Sequence, residues 1–222
     1  MAGILFIISA PSGSGKSTLV NGVRGLVQGL EFSVSYTTRA PRGSEQDGVE
    51  YHFIEKATFE AMIAADEFLE YATVFGDNYY GTAMSALEDA RKHGHDLLLD
   101  IDVQGALQVM ERVPEAVSIF ILPPSPTILE MRLRNRSQAE GMTDDGVIAR
   151  RLAQARNELE MLGRYKYAIV NDQLDIATNE MKAIVLKERG EPDGNEATAA
   201  SCLTQRHSER LDVALSQFDV VQ

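Results

Sequence analysis

The chain has 222 residues, 44% hydrophobic and 24% charged, with a formal net charge of −12 and one cysteine, Cys202. That length and mix suit one soluble globular domain with inserted subdomains. The acidic balance argues against a generic nucleic-acid binder, which presents a basic face, and the lone cysteine excludes an internal disulfide framework or a cysteine-ligated metal cluster.

ILFIIS (4–9) reads as a buried strand, too short and without the basic lead of a signal peptide. A helix is expected from Lys16 to about Gly29, weakened by Gly22 and Gly25. FSVSY (32–36) alternates like a strand, and 37–50 is a polar loop with Pro and Gly. YHFI (51–54) and FLEYATV (68–74) are strands flanking a helix from about Lys56 to Ala65. Then come a helix over Met84 to His93, a strand DLLLDID (96–102) ending in acids, and a helix from Val103 to Glu111. VSIFIL (117–122) is a strand, followed by PPSP, a helix from about Thr127 to Arg136, a polar stretch 137–145 and a long helix to about Leu162. YAIVN (167–171) is the last strand, followed by a helix to about Lys187.

Strands apolar on both faces and separated by helices predict an α/β fold with a buried parallel sheet built from 4–9, 96–101, 117–122 and 167–170. Residues 33–82, richer in short strands, read as an antiparallel insertion. From about Glu188 the chain turns polar and reads as a loosely attached, frayed tail. A short docking helix over Leu211, Leu215 and Phe218 is the alternative there. No apolar stretch approaches a membrane span. The expectation is a cytoplasmic protein without nucleic-acid or membrane partners. His52, His93, His95 and His207 show no ligand spacing and read as structural or surface residues.

The first strand empties into A-P-S-G-S-G-K-S at 10–17. A strand, a Gly-rich loop and a helix opening on Lys-Ser-Thr form the context of a phosphate-binding loop. In the segment from Ala10 through Pro11, Ser12, Gly13, Ser14 and Gly15 the glycines let successive backbone N–H groups point inward at phosphate, and the helix N-terminus adds positive potential. Lys16 reaches the β- and γ-phosphates, the Ser17 hydroxyl suits Mg²⁺, and Thr18 completes the motif. Ala10 stands where the motif has its first glycine, which serves if its φ stays negative. This loop specifies a nucleoside triphosphate and leaves the second substrate open.

Two arginines three residues apart, Arg39 and Arg42 in S-Y-T-T-R-A-P-R-G, suit one phosphate held by forked hydrogen bonds. Alone they read more readily as a solvated surface, and Glu70 in F-L-E-Y-A more readily as a strand residue facing water. Together with D-G-V-E-Y (47–51), N-Y-Y-G-T (78–82) and L-D-I-D-V-Q-G (99–105), the chain resembles the guanylate kinases from about residue 3 to 187.

The resemblance implies a P-loop core (1–33, 94–125 and 157–187), a mixed α/β GMP-binding insertion (34–93) and a helical lid (126–156), with the tail 188–222 outside. It implies that Arg39, Arg42, Tyr51 and Tyr80 hold the GMP phosphate, that Ser35, Glu70 and Thr82 read guanine, and that Asp102 lies near the guanine amino group. Asp100 would support Mg²⁺ through water. Arg136 and Arg151 match the lid arginines, with Arg150 the alternative to Arg151. Asn171 would touch adenine or, read alone, close a strand end. The chain departs from the family in a longer lid containing Gly141 and Gly146, and in an extra residue, Asp77.

The implied activity is Mg²⁺-dependent transfer from ATP to GMP, and to dGMP, serving purine nucleotide salvage and GTP supply, by a monomer or homodimer. A carboxylate accepting guanine N1–H and N2–H is left unpaired by adenine, the stronger form of discrimination. Two rival readings are a catalytically dead interaction module and a kinase for another monophosphate. The intact Gly13, Gly15, Lys16 and Ser17 oppose the first, and Glu70 with Ser35 and Thr82 the second.

Overall fold

The computed structural model describes residues 3–74, 77–139, 145–191 and 195–218. The expected apolar strands form β1 (Leu5–Ser9), β7 (Asp96–Asp100), β8 (Val117–Leu122) and β9 (Tyr167–Val170), joined by β2 (Leu30–Phe32). Their order is β2-β7-β1-β8-β9, with β2–β7 and β8–β9 paired in parallel. Every residue of β1, β8 and β9 is buried, which accounts for their unbroken apolar runs. Asp100, the last residue of β7, is the exposed one in its strand.

By its internal contacts the chain divides into two compact units, residues 1–7 with 29–116 and residues 8–28 with 117–222, the division falling inside β1. The first unit holds β2 and β7 and a second sheet of order β4-β3-β6-β5. Its strands are β3 (Tyr36–Thr37), β4 (His52–Phe53), β5 (Phe68–Val74) and β6 (Asn78–Ala83). Its helices are α2 (Lys56–Ala64), α3 (Met84–Lys92) and α4 (Val103–Arg112). The strand expected over 32–36 is two strands in two sheets: Ser33 N–H still bonds to Leu98 O, and pairing resumes at Tyr36 with Gly81. β3–β6 and β5–β6 are antiparallel, as expected, whereas β3 and β4 pair in parallel. Phe59 of α2 stacks on Phe68 and Tyr79, ring centroids 4.3 and 5.1 Å away, and anchors the helix on the β5–β6 hairpin. Asp77, the apparent extra residue, takes φ +80° beside this hairpin's return strand, a conformation Asp tolerates better than most side chains.

The second unit carries α1 (Lys16–Val23), α5 (Pro126–Ala139), α6 (Asp145–Leu159), α7 (Leu174–Glu188), α8 (Glu196–Ser201) and α9 (Glu209–Gln217), with 3₁₀ turns at Glu160–Arg164 and Thr204–Arg206. α1 stops short of the expected Gly29 because Gly25 and Gly29 take φ +83° and +67°. The reading of 188–222 as a frayed tail is corrected for the described residues. Cys202 O accepts from Ala168 N–H at 2.8 Å, Leu203 bridges Tyr167, and Leu211, Ala214, Leu215 and Phe218 are buried. Sparse apolar residues at helical spacing seat α9, although the average composition of the segment is polar. Among the described residues no helix is long and apolar enough to cross a membrane.

Candidate active site

The phosphate loop lies wholly in the second unit. β1 is held at its end by Ser9 Oγ, 2.5 Å from Tyr165 OH, and hands the chain to Ala10–Gly15. Gly13 and Gly15 take φ +90° and +85°. Ala10 is not among the residues of positive φ, so alanine serves in place of the first glycine of the motif. Gly15 is the N-cap of α1 and makes no side-chain cap, leaving the helix's first amides to a ligand. A Cβ on Gly15 would stand 2.5 Å from Asn171 Nδ2, so close packing as well as backbone angle requires glycine there. Pro11 is buried and Ser12 exposed, Lys16 is half-buried, and Ser17 and Thr18 are exposed. The Ser14 hydroxyl is fully buried with no hydrogen-bond partner among the described residues.

Asn171, expected against adenine, is only 5% exposed and uses its amide on the loop: Nδ2–H donates to Ser14 O at 2.8 Å. Arg132 of α5 donates to the same carbonyl at 3.2 Å and to Asn171 O at 3.0 Å. Burial pushes the Arg132 pKa down, and the guanidinium remains charged. Arg132 belongs to the R-L-R-N-R run in which the sequence pointed to Arg136. Arg136 is exposed near the end of α5, Arg150 is exposed on α6, and Arg151 donates to the buried Ser137 Oγ at 3.1 Å, tying α6 to α5. Gly141 lies outside the described residues.

The second half-site lies wholly in the first unit. Glu70 on β5 is opposite Thr82 on β6 and is 5% exposed. Thr82 Oγ1–H donates to Glu70 Oε1 at 2.8 Å, and Ser35 Oγ stands 3.4 Å from Thr82 Oγ1. The other carboxylate oxygen, Oε2, lies over Gly105 of α4, where a Cβ would come within 2.6 Å. Asp102 caps α4, its Oδ1 accepting from Gly105 N–H at 2.7 Å, and the same oxygen would be 3.2 Å from a Gly105 Cβ. Two carboxylates thus approach one bare Cα in the first turn of α4.

Arg39 is 9% exposed and almost fully engaged. Nε–H donates to Tyr80 OH at 2.9 Å, Nη1 to Ala40 O at 2.7 Å, and the fork grips Glu45 at 2.9 and 3.0 Å. Arg42 meets Glu45 through its backbone, N–H to Oε2 at 2.7 Å, while its side chain is exposed. Only the Arg39 guanidinium grips an anion in this structure, the Glu45 carboxylate, and Arg42 adds its backbone amide to that carboxylate, not its guanidinium. Bonding to Glu45 holds Arg39's pKa up, and Arg39, then the Arg42 amide, hold Glu45's carboxyl below the usual carboxylate range. Tyr51 packs edge-on to Tyr80 at 5.7 Å, and burial pushes its phenol pKa up, so it stays a neutral donor.

Sequence reasoning missed Glu45, Gly105 and Arg132. L-D-I-D-V-Q-G ends on Gly105, Arg132 opens the R-L-R-N-R run (132–136) that also holds Arg136, and no periodic pattern marks Glu45. Among the described residues no cluster of three or more His, Cys, Asp or Glu is arranged to hold a metal. Ser17 in the second unit is exposed and offers a hard oxygen of the kind Mg²⁺ takes, and Asp100 in the first unit is exposed as well.

Residues 3–188 match the family model described as guanylate kinase. The chain is 49% identical over 227 residues to a guanylate kinase of Koribacter versatilis, covering 98% of this chain and 97% of that one. It is 46% identical over 217 residues to a guanylate kinase of Vibrio vulnificus, covering 97% and 99%. The crystal structure of guanylate kinase from Anaplasma phagocytophilum superposes with a TM-score of 0.63 at 29% identity, over 99% of this chain and 97% of that one. With the phosphate loop and the Glu70–Thr82 pair in place, this chain belongs to the guanylate kinase family of ATP:GMP phosphotransferases.

Proposed function

We propose that the two half-sites divide the family reaction between a phosphate-reading loop and a base-reading sheet. A GMP phosphate oxygen forms a bond to the γ-phosphorus of ATP as the bond to the β–γ bridging oxygen breaks, giving GDP and ADP. The attacking oxygen is already an anion, so no general base is needed. The protein's task is alignment, charge compensation and exclusion of water.

The amides of Gly13 and of 15–18 receive the β- and γ-phosphates, the Ser14 amide being bonded to Pro11 O within the loop, Lys16 places a fixed positive charge on the moving group, and the Ser14 hydroxyl is a spare polar group in the cradle. Mg²⁺, when bound, adds charge compensation on the phosphate oxygens, with Ser17 as its protein ligand and Asp100 acting through water. Tyr51 and Tyr80 hydroxyls, the open N–H of Arg39 and the fork of Arg42 hold the GMP phosphate. Arg136 and Arg151, with Arg150 as the alternative, bring further charge from a lid over 126–156. Residues 34–93 form the GMP-binding insertion. The free enzyme is a cytoplasmic monomer or homodimer, and dGMP is a second acceptor, because none of the assigned contacts needs the ribose 2′-hydroxyl.

The observation that carries the reading is Glu70: buried, with one oxygen bonded to Thr82 and the other over the bare Cα of Gly105. A buried acceptor pair suits guanine N1–H and N2–H and rejects adenine. ADP production from ATP and Mg²⁺, measured in parallel with GMP, dGMP, AMP, CMP and UMP, tests it. The expected order is GMP, then dGMP, with the others near background. Equal use of AMP would refute Glu70 as base reader, and no turnover by folded protein would refute the kinase reading.

A further inference from the structure

The family match ends at residue 188, yet α9 beyond it touches the strand end that braces the phosphate loop. Asn171 supports the loop through its bond to Ser14 O and its contact with Gly15. Its own backbone is bonded from N–H to Leu122 O at 2.8 Å and from O to Arg132. The residues on either side are held by one guanidinium from the far end of the chain. Arg210 Nη2 donates to Val170 O at 3.0 Å and to Asp172 Oδ1 at 2.7 Å. Nη1 of Arg210 bonds to Glu180 of α7, a residue only 8% exposed. Leu211, Leu215 and Phe218 seat the helix that carries it.

We propose that Arg210 is a positioning residue for the ATP site: by clamping Val170 and Asp172 it fixes Asn171, and through Asn171 the direction of the Ser14 carbonyl and the neighbouring loop amides. A carbonyl left without its donors can rotate its peptide, and that peptide's N–H is one of those turned toward phosphate. A network of two discrete arrangements, loop braced or unbraced, transmits the effect of a residue that touches no substrate. The inference rests on reading the phosphate loop as the ATP site.

The test is calorimetric titration of the full chain with Mg·ATP, alongside KM for ATP and for GMP. Arg210→Met should weaken ATP binding and raise its KM by about tenfold while leaving KM for GMP unchanged. Leu211→Ala, which loosens the same helix but keeps the guanidinium, should lower the melting temperature and cost clearly less ATP affinity than Arg210→Met. Arg210→Lys should recover part of the affinity. Asp172→Asn, milder than Arg210→Met, should give a smaller, ATP-selective loss, and serves if Arg210→Met does not fold. Unchanged ATP affinity in the Arg210 and Asp172 variants overturns the inference. So does an equal loss for ATP and GMP, or the same ATP loss in Leu211→Ala. A wild-type chain that binds no Mg·ATP overturns the parent reading as well, which separates the two failures.

Discussion

The two half-sites hold their semi-buried arginines in opposite ways. Arg39, in the GMP half, grips a carboxylate and its pKa is raised. Arg132, in the ATP half, is bonded to two backbone carbonyls and burial lowers its pKa. Under the proposed division of labour, the difference follows from what each half reads. Phosphates are alike in every nucleotide, so the ATP half presents backbone amides and uses side chains such as Asn171 and Arg132 to hold that backbone still. A base is told apart by its edge, so the GMP half presents side chains, and neutralises the charges it must bury. Damage to the first half should act through geometry, and damage to the second through chemistry.

The largest expected effect tests whether any side chain of the ATP half acts directly. Lys16→Met should lower kcat by about 10³-fold or more, as loss of a fixed charge on a transferring phosphoryl group does. KM for GMP should be little changed. A loss below about tenfold would mean that the loop amides suffice and that the ATP half is backbone alone. In the other half, Glu70→Gln should lower kcat/KM for GMP by about 10²-fold, the scale of a lost hydrogen bond to a charged group. KM for ATP should stay within a factor of two or so. If both substrates' constants move together, the halves are not separable and the contrast fails.

How much of this is legible in the sequence divides along the same line. The phosphate loop is one contiguous stretch between a strand and a helix, so its glycines, Lys16 and Ser17 could be read directly, and the doubly buried strands announced the parallel sheet. The GMP half is assembled from Ser35, Glu70 and Thr82, far apart in the chain, and only family likeness put them together, while Gly105, which meets Glu70 in the fold, was not singled out at all. Glu45 looks like any polar loop residue until the chain folds its carboxylate onto Arg39. Of the C-terminal helices, α9 was legible as the alternative to a frayed tail from the helical spacing of Leu211, Leu215 and Phe218, but their polar neighbours give the segment an average composition that suggests a tail. Asn171 was visible as a strand-end residue, but nothing in V-N-D says that its amide faces Ser14 O.

Gly105→Ala sharpens the contrast because its two effects have opposite signs. Alanine in place of a helical glycine stabilises α4 by about 0.5–1 kcal/mol in an open site. Here the new Cβ would lie 2.6 Å from Glu70 Oε2, so the carboxylate must move. KM for GMP should rise by about tenfold, the cost of displacing one charged acceptor. KM for ATP should hold, and the melting temperature should fall far less than the GMP loss suggests. A large drop in melting temperature with KM for GMP unchanged would make Gly105 a packing residue and nothing more.

The smallest effect decides what Glu45 does for Arg39. If the carboxylate anchors the guanidinium in its working direction, Glu45→Ala should raise KM for GMP about three- to fivefold at pH 7, the reach of a partly exposed pair. Glu45's folded pKa is depressed, so its hold on Arg39 is complete above the ordinary carboxylate value of 4.5 and is lost as the pH falls through the lowered folded value. The GMP phosphate ionises near pH 6, but it does so equally for both proteins. The ratio of the variant's KM to the wild type's removes that common ionisation. It should stay flat from pH 8 to about 5 and converge toward one in stronger acid, over the range where circular dichroism shows both chains folded. A ratio below one at neutral pH would reverse the assignment. Glu45 would then compete with the incoming phosphate for Arg39, and the GMP half, like the ATP half, would rely on keeping its arginine free of carboxylates.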